Sequence, residues 1–130
     1  MDEIDIKVLE ILKRNARSKY VKVADAVGLT EGAVRRRIKE LTKQGVIKRF
    51  TIETTVELEG IVLVKTEPTR TKEATVAIRK IANRVFETSG DYDIAALIQA
   101  YTIDELNHKI DEIRHLPAVL STNTLIKLKE

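Results

Sequence analysis

The sequence contains no cysteine among its 130 residues. This absence excludes disulfide bonds, cysteine-based zinc sites and thiol catalysis, and it fits the reducing cytoplasm. No apolar run approaches the ~18 residues of a membrane span. The first ten residues, MDEIDIKVLE, are acidic and amphipathic, so they match neither a secretory signal nor a transit peptide. We therefore expect a cytoplasmic protein without membrane contact.

Motifs for catalysis and for metal binding are missing as well. The chain has neither a phosphate-binding loop nor a dinucleotide fingerprint. Asp91 and Asp93 resemble a carboxylate pair for acid–base chemistry, but no nucleophile accompanies them. The two histidines, His108 and His115, lie seven residues apart, and two imidazoles alone are a weak basis for a metal site. The sequence predicts no enzyme, no catalytic residue, no metal and no cofactor.

Charge is distributed unevenly along the chain. Residues 1–56 carry 13 Lys and Arg against 8 Asp and Glu, a net of +5, whereas residues 57–130 carry 10 against 12, a net of −2. Hydrophobic residues make up 43% of the chain, which is enough for a core in each half. A basic first half joined to a slightly acidic second half indicates two domains, of which only the first meets a polyanion.

The basic half reads as three helices followed by a strand. Asp2 is a good N-cap for the first helix, and Gly28 ends a short second helix. Thr30 is a good N-cap for the third helix, and Gly45 is a typical residue after its last turn. The β-rich residues 46–53 then predict a strand.

The third helix carries three consecutive arginines, which fan over roughly 200° because helical residues advance about 100° each. Its apolar face consists of Val34, Ile38 and Leu41. Four residues lie within about 50° of the opposite direction, namely Gly32, Arg36, Lys39 and Lys43. Arg36 therefore points outward, whereas Arg35 and Arg37 lie on the flanks, where they contact phosphates or intramolecular partners. Gly32 removes a side chain where another surface must come close.

Two short helices joined by a glycine turn, with a basic outer face on the second, predict a helix-turn-helix that reads the major groove of double-stranded DNA. The strand after it would be a wing along a phosphate backbone. The candidate DNA-binding residues are Thr30, Gly32, Arg35, Arg36, Lys39, Lys43, Lys48 and Arg49. The alternative is a solvated charged helix that only packs on the three-helix core.

The second half alternates strands and helices. Strands are predicted over 61–66, 85–88, 93–100 and 119–128, with one helix capped by Thr71 and another opened by a capping box over 102–105. This βαββαβ order predicts a ferredoxin-like domain, so the fold class is α+β. One sheet face stays bare of helices, which implies a partner. We expect residues 61–130 to form a homodimer that assembles into a tetramer or octamer, with 1–49 as the winged helix-turn-helix and 50–60 as a linker strand.

Motifs in both halves resemble the Lrp/AsnC family of bacterial and archaeal transcriptional regulators. The match in the first half consists of Asp5, Val8, Leu9, Val23, Ala24, Val27, Gly28, Leu29, Thr30, Arg37, Ile38, Leu41, Gly45, Val46 and Ile47. The match to the family's sensory domain, often called RAM, consists of Val85, Gly90, Tyr92, Asp93, Leu116, Pro117, Val119, Thr122 and Thr124. The chain departs from the family in being shorter between wing and sensory domain, and in having Ala118 where glycine is usual.

The resemblance implies a regulator that binds DNA in a sequence-specific way, modulated by an amino acid held between subunits. The candidate effector-binding residues are Gly90, Asp91, Tyr92, Asp93, Thr122 and Thr124. Turn N–H groups around a glycine can hold a carboxylate, and aspartate can pair with an ammonium group. The alternative for this turn is a plain hairpin, since Gly-Asp is common turn chemistry. Rival functions are an architectural DNA-coating protein without effector, and a small-molecule carrier or enzyme regulator with a degenerate DNA-binding half.

Overall fold

Three helices make up the first of two units in the chain. The computed structural model describes residues 1–130, which divide into Met1–Glu53 and Thr54–Glu130. The first unit contains α1 (Glu3–Arg14), α2 (Tyr20–Val27) and α3 (Glu31–Lys43). Their apolar stripes meet in one buried cluster, which consists of Val8, Leu12, Val23, Ala24, Val34 and Ile38. The predicted helix order is confirmed.

The ends of these helices are fixed by the capping residues that the sequence predicts. The Asp2 side chain accepts a hydrogen bond from the Asp5 N–H, and the Thr30 side chain accepts one from Ala33. Gly28 ends α2 at a φ of 73°, a left-handed conformation that favours glycine. Gly45, at a φ of 79°, ends α3 in the same way. Local chemistry therefore marks the starts of α1 and α3 and the ends of α2 and α3.

The predicted wing strand over 46–53 is wrong, because these residues form no strand. A strand needs a neighbour for its backbone hydrogen bonds, and the three helices of this unit offer no sheet edge. The predicted linker strand over 50–60 also needs correction. The strand of the second unit already begins at Leu58, and residues 50–57 form no strand.

The second unit is a four-stranded antiparallel sheet with two helices. Its elements follow in the order β1 (Leu58–Thr66), α4 (Thr71–Arg79), β2 (Arg84–Glu87), β3 (Ile94–Ala100), α5 (Ile103–Arg114) and β4 (Val119–Ile126). The strands lie in the order β2-β3-β1-β4, so the central pair is β1 and β3. This arrangement confirms the predicted ferredoxin-like domain and the α+β fold class.

The two faces of the sheet differ in burial. Alternate residues of β1 and β3, such as Val62 and Ile98, belong to the core that α4 and α5 cover. Strand pairing sets Ile61 opposite both Leu97 and Leu125 on the other face, where Ile61 is 42% exposed. The bare apolar face expected from the sequence is therefore present.

Two helix starts in this unit differ from expectation. Thr71 is the first residue of α4 rather than its N-cap, because its hydroxyl lies 2.7 Å from the Thr66 hydroxyl. Thr102 does cap α5 by accepting from the Glu105 N–H at 3.1 Å. The Glu105 carboxylate, however, accepts from the N–H of Tyr101 at 3.2 Å, one residue before the position that a capping box uses.

Candidate DNA-binding surface and effector turn

The outer face of α3 presents a row of exposed cations. Arg36, Lys39 and Lys43 are all exposed and make no ion pair within the chain. They follow the helical spacing that the sequence predicts. Their positive charge is not neutralised by a neighbouring carboxylate, so it stays available to a polyanion.

Gly32 lies at the start of this row, in the first turn of α3. A methyl group added at its Cα would lie 3.7 Å from Nη1 of Arg36, which is ordinary van der Waals contact. Packing within the chain therefore does not require glycine at this position.

The two flanking arginines are held within the chain. Arg35 pairs with Glu31 at 2.8 Å on its own helix, and its guanidinium carbon lies 5.0 Å from the centre of the Tyr20 ring. Its side chain nevertheless remains 63% exposed. The sequence left open whether the flanking arginines contact phosphates or intramolecular partners. In the structure Arg35 has two intramolecular partners, the Glu31 carboxylate and the face of the Tyr20 ring.

Arg37 is bound to the start of α1. Its Nη1 donates to both carboxylate oxygens of Asp2 at 2.9 and 2.8 Å, and to Oδ1 of Asp5 at 3.1 Å. The hydrogen bond from Arg37 lowers the pKa of Asp2, and the same contact raises the pKa of Arg37. Sequence reasoning missed this contact, although all three residues stood out, because the partners lie 32 and 35 positions apart.

The remaining candidate DNA-binding residues are accessible. Thr30 is exposed at the start of α3, where its hydroxyl is engaged in the cap. Lys48 and Arg49 are exposed in the segment after Gly45, which forms no strand. Because that segment makes no sheet hydrogen bonds within its unit, the backbone holds these two cations less firmly than a wing would.

The turn between β2 and β3 closes on itself. The Thr88 N–H donates to the Asp93 carbonyl at 2.9 Å, and the Thr88 hydroxyl donates to the Tyr92 carbonyl at 2.7 Å. Gly90 has a φ of 101°, which a side chain would strain, and both it and Asp91 are exposed. The turn thus leaves one carboxylate, that of Asp91, pointing into solvent without an ion pair.

Asp93 connects the turn to the central strand β1. Its Oδ2 accepts a hydrogen bond from the Thr66 N–H at 2.8 Å, and the Thr66 hydroxyl lies 3.4 Å from the same oxygen. Lys65, the preceding residue, places its ammonium nitrogen 5.5 Å from the centre of the Tyr92 ring. Sequence reasoning missed Lys65 and Thr66. The split βαβ topology is the signal that could have found them, since it sets the end of β1 beside the start of β3.

Thr122 and Thr124 lie on β4, opposite Val64 and Val62 of β1. Paired residues share a face in an antiparallel sheet, so both threonines are on the side of the helices, where they are half-buried. The carbonyl of Val64 accepts from the Asp93 N–H at 2.9 Å, so Thr122 and Asp93 flank the same residue of β1. Thr124 lies two residues further from the turn.

Two further sequence features have structural explanations. Ala118, where the family usually has glycine, is buried in the core and has no positive φ, so its methyl group causes no backbone strain. His108 pairs with Glu112 at 3.0 Å, and Nδ1 of His115 lies 2.7 Å from the Asp111 carbonyl. No group of three or more potential metal-ligating side chains occurs.

No helix is both long enough and apolar enough to cross a membrane.

The fold and the basic helix define a helix-turn-helix DNA-binding protein with a ferredoxin-like second domain. A family profile described as winged helix-turn-helix DNA-binding matches residues 1–48. The HTH-type transcriptional regulator LysM of Sulfurisphaera tokodaii is 48% identical over 99% of this chain and 96% of its own length. The regulator FL11 of Pyrococcus horikoshii is 34% identical over 99% of this chain and 90% of its own.

Solved structures show the same fold over the whole chain. AsnC of E. coli has a TM-score of 0.74 at 23% identity, covering 100% of this chain and 93% of its own. A transcriptional regulator of Neisseria meningitidis, solved as an L-Met complex, has a TM-score of 0.77 at 21% identity, covering 100% and 91%. The chain belongs to the Lrp/AsnC family of transcriptional regulators, which are not enzymes.

Proposed function

We propose that this regulator binds a two-fold symmetric DNA site as a homo-oligomer, with Arg36 reading bases and an amino acid acting as its effector. In this proposal residues 1–49 bind DNA, 50–60 connect the domains, and 61–130 assemble subunits. The observation that carries the DNA-binding role is the row of exposed cations Arg36, Lys39 and Lys43. They lie on the face of α3 that packs against nothing in its unit.

The assignment of Arg36 to base reading is supported by elimination among neighbours. Arg35 and Arg37 both have carboxylate partners inside the unit, whereas Arg36 has none. Arg36 also lies in the first half of the helix, and the N-terminal residues of a recognition helix contact base edges. Arginine binds guanine O6 and N7 in a bidentate way, so a guanine at one position of each half-site is expected.

Assembly through the second domain is supported by its uncovered sheet face. Ile61, Leu125 and Phe86 are 42%, 52% and 50% exposed, and they lie on the side without helices. An apolar sheet face of this kind is costly to leave in water. Burial against a second copy makes the homodimer, and pairing of dimers makes the tetramer or octamer.

The effector role rests on the exposed turn and on the family. The regulator of Neisseria meningitidis was solved with L-Met, which shows that one protein of this fold binds an amino acid. In this chain Asp91 is free to pair with an ammonium group, and the second oxygen of Asp93 has no donor. The N–H groups around Gly90 suit a carboxylate. Thr122 lies opposite Val64, the residue of β1 whose carbonyl accepts from the Asp93 N–H, and its side chain is on the helix side of the sheet.

The experiment that tests this function is selection of bound fragments from random double-stranded DNA, with and without a mixture of the twenty amino acids. We expect a two-fold symmetric sequence and a change in affinity with one class of amino acid. Equal binding of selected and random DNA would instead support an architectural coating protein. Thermal shift against single amino acids at millimolar concentration then identifies the effector, and Asp91→Ala should abolish that shift while leaving ligand-free DNA binding intact. If no amino acid stabilises the protein, the turn is a plain hairpin.

A further inference from the structure

The contact of Arg37 with Asp2 and Asp5 differs from every other side-chain hydrogen bond of the first unit. The others in Met1–Glu53 join residues two to four positions apart, within one helix, one cap or one turn. The three bonds of Arg37 span 32 and 35 positions and connect the start of α1 to the middle of α3. They are the only side-chain hydrogen bonds between α3 and the other helices of this unit, and the stacking of Arg35 on the Tyr20 ring of α2 is a further polar contact.

Apart from the contact of Arg35 with the Tyr20 ring, the packing between these helices is apolar. Val34 and Ile38 of α3 contact the buried cluster that includes Val8 and Leu12 of α1. Apolar burial is non-directional, so it constrains the rotation of α3 about its own axis less sharply than hydrogen bonds do. Three charge-assisted hydrogen bonds to one guanidinium fix both distance and angle.

The acceptor carboxylates are themselves held in place. Oδ1 of Asp2 accepts from the Asp5 N–H at 2.8 Å, and Oδ2 of Asp5 accepts from the Asp2 N–H at 3.3 Å. This reciprocal capping box fixes both side chains before Arg37 binds them. Arg37 thus contacts a prearranged pair, and its own side chain is only 29% exposed.

We propose that the Asp2–Asp5–Arg37 cluster is a positioning device that sets the rotation of α3, so that Arg36 meets its base edge. A helix with its side chains has a radius of about 5–6 Å, so a rotation of about 10° moves a side-chain tip by about 1 Å. Recognition groups must be held to about 0.5 Å by supporting contacts. Arg37 therefore contributes to sequence preference through Arg36, without touching DNA. This inference rests on the proposed reading role of Arg36.

The test uses the full-length protein and two single variants that change net charge in opposite directions. Arg37→Gln removes a positive charge, and Asp5→Asn removes a negative one. A purely electrostatic effect would weaken binding to all DNA in the first variant and strengthen it in the second. Positioning predicts the same result in both, a roughly three- to tenfold lower ratio of affinities for selected and random DNA. The double variant should have the same ratio of affinities as either single variant, because the residues act as one unit.

Four controls separate this role from others. Circular dichroism confirms that each variant is folded at the assay temperature, and Arg37→Lys, which keeps the charge, should give an intermediate ratio. Arg14→Gln, at the exposed end of α1, controls for the loss of one positive charge. Arg36→Ala is measured in parallel, because an unchanged ratio there means that the reading role itself fails.

The outcomes are distinct. A lowered ratio in both single variants, with the salt dependence unchanged, supports the positioning role. An unchanged ratio in both variants overturns it and leaves the cluster as a stabilising contact only. A uniform loss on all DNA in Arg37→Gln, with a salt slope smaller by about one, also overturns it, since that is the signature of a phosphate contact.

Discussion

The three adjacent arginines of α3 have three different environments, although they are chemically identical. Arg35 lies over an aromatic ring beside a glutamate, Arg36 is exposed without an ion pair, and Arg37 is bound by two aspartates. Helical rotation separates them by about 100° each, so neighbours in sequence face different surroundings. A substitution of each one therefore tests a different property of the protein.

Arg36→Ala should cost on the order of 1–3 kcal/mol on the selected DNA site and relax the preference at one base position. The reason is that Arg36 is the outward arginine without a partner in the chain. Lys48→Ala is the matched comparison. It should weaken binding to all DNA sequences similarly and flatten the plot of log affinity against log salt concentration by about one unit of slope. Fluorescence anisotropy over a salt series measures both effects. Equal affinity of Arg36→Ala and the parent for the selected site would contradict the assignment.

Gly32→Ala should change folding and DNA binding in opposite directions. The added methyl group meets Nη1 of Arg36 at ordinary contact distance, and alanine favours helix over glycine. We expect the free energy of unfolding to stay constant or rise by up to about 1 kcal/mol. Affinity for the selected site should fall at least about threefold, because the methyl group would lie on the face that is proposed to enter the groove. Urea unfolding and anisotropy on the same sample compare the two, and an unchanged affinity would remove Gly32 from the interface.

At the scale of elements, local signals in the sequence predict most helix ends and the element order, but not the side-chain contacts between distant elements. The helix ends predicted from Asp2, Thr30 and Gly45 are correct, because a cap depends on residues three or four positions away. The wing strand over 46–53 is wrong because a strand depends on a neighbour that this unit does not supply. Thr71 looks like an N-cap but bonds Thr66 instead. The contacts of Asp93 and Arg37, over 27 and more positions, lie beyond any periodicity argument.

One ion pair joins β1 to the chain beyond β4. Nζ of Lys127 lies 2.7 Å from Oε1 of Glu59, and the Lys127 N–H donates to the Glu59 carbonyl at 2.9 Å. The hydrogen bond from Lys127 lowers the pKa of Glu59 below its ordinary 4.5, and the same pair raises the pKa of Lys127 above 10.5. The pair therefore stabilises the fold at pH values between the lowered pKa of Glu59 and the raised pKa of Lys127. Its contribution is lost as the pH falls through the lowered pKa of Glu59, or rises through the raised pKa of Lys127.

Glu59→Gln should lower the urea midpoint at pH 7, and the difference from the parent should shrink as the pH falls below 4.5. The physical reason is that both proteins have an uncharged side chain at this position once Glu59 is protonated. Glu53→Gln, which removes an exposed carboxylate without an ion pair, is the matched control. A difference that stays constant from pH 7 to pH 3 would show that the charge of Glu59 does not contribute.

At the scale of the whole molecule, the second domain has a covered and an uncovered face. The covered face is closed by α4 and α5, and it holds the larger of the two cores. The uncovered face has Ile61 near its centre, between Leu97 and Leu125 on the adjacent strands. This asymmetry followed from the predicted element order alone, because both helices of a split βαβ unit pack on one side.

Ile61→Asp should reduce self-association at least tenfold, because a charge in a buried apolar interface loses its hydration. Val76→Asp is the matched control, since Val76 is 54% exposed on α4, the helix layer, and should leave assembly unchanged. Light scattering at micromolar concentration measures the mass of each variant. A monomeric parent protein would contradict the proposed assembly, and an unaffected Ile61→Asp variant would place the interface elsewhere.

The pairing of β1 with β4 has a consequence for the order of folding. Gly60 pairs with Ile126, so the sheet joins residues 66 positions apart, whereas the first unit is built from helices that turn back on themselves within a few residues. Contacts between distant residues form slowly because a long loop must close first. During synthesis the three helices can fold as soon as they emerge, while β1 waits for the strand that completes its second edge. We therefore expect the three helices of each new chain to be complete before the sheet face that is proposed to join it to another copy.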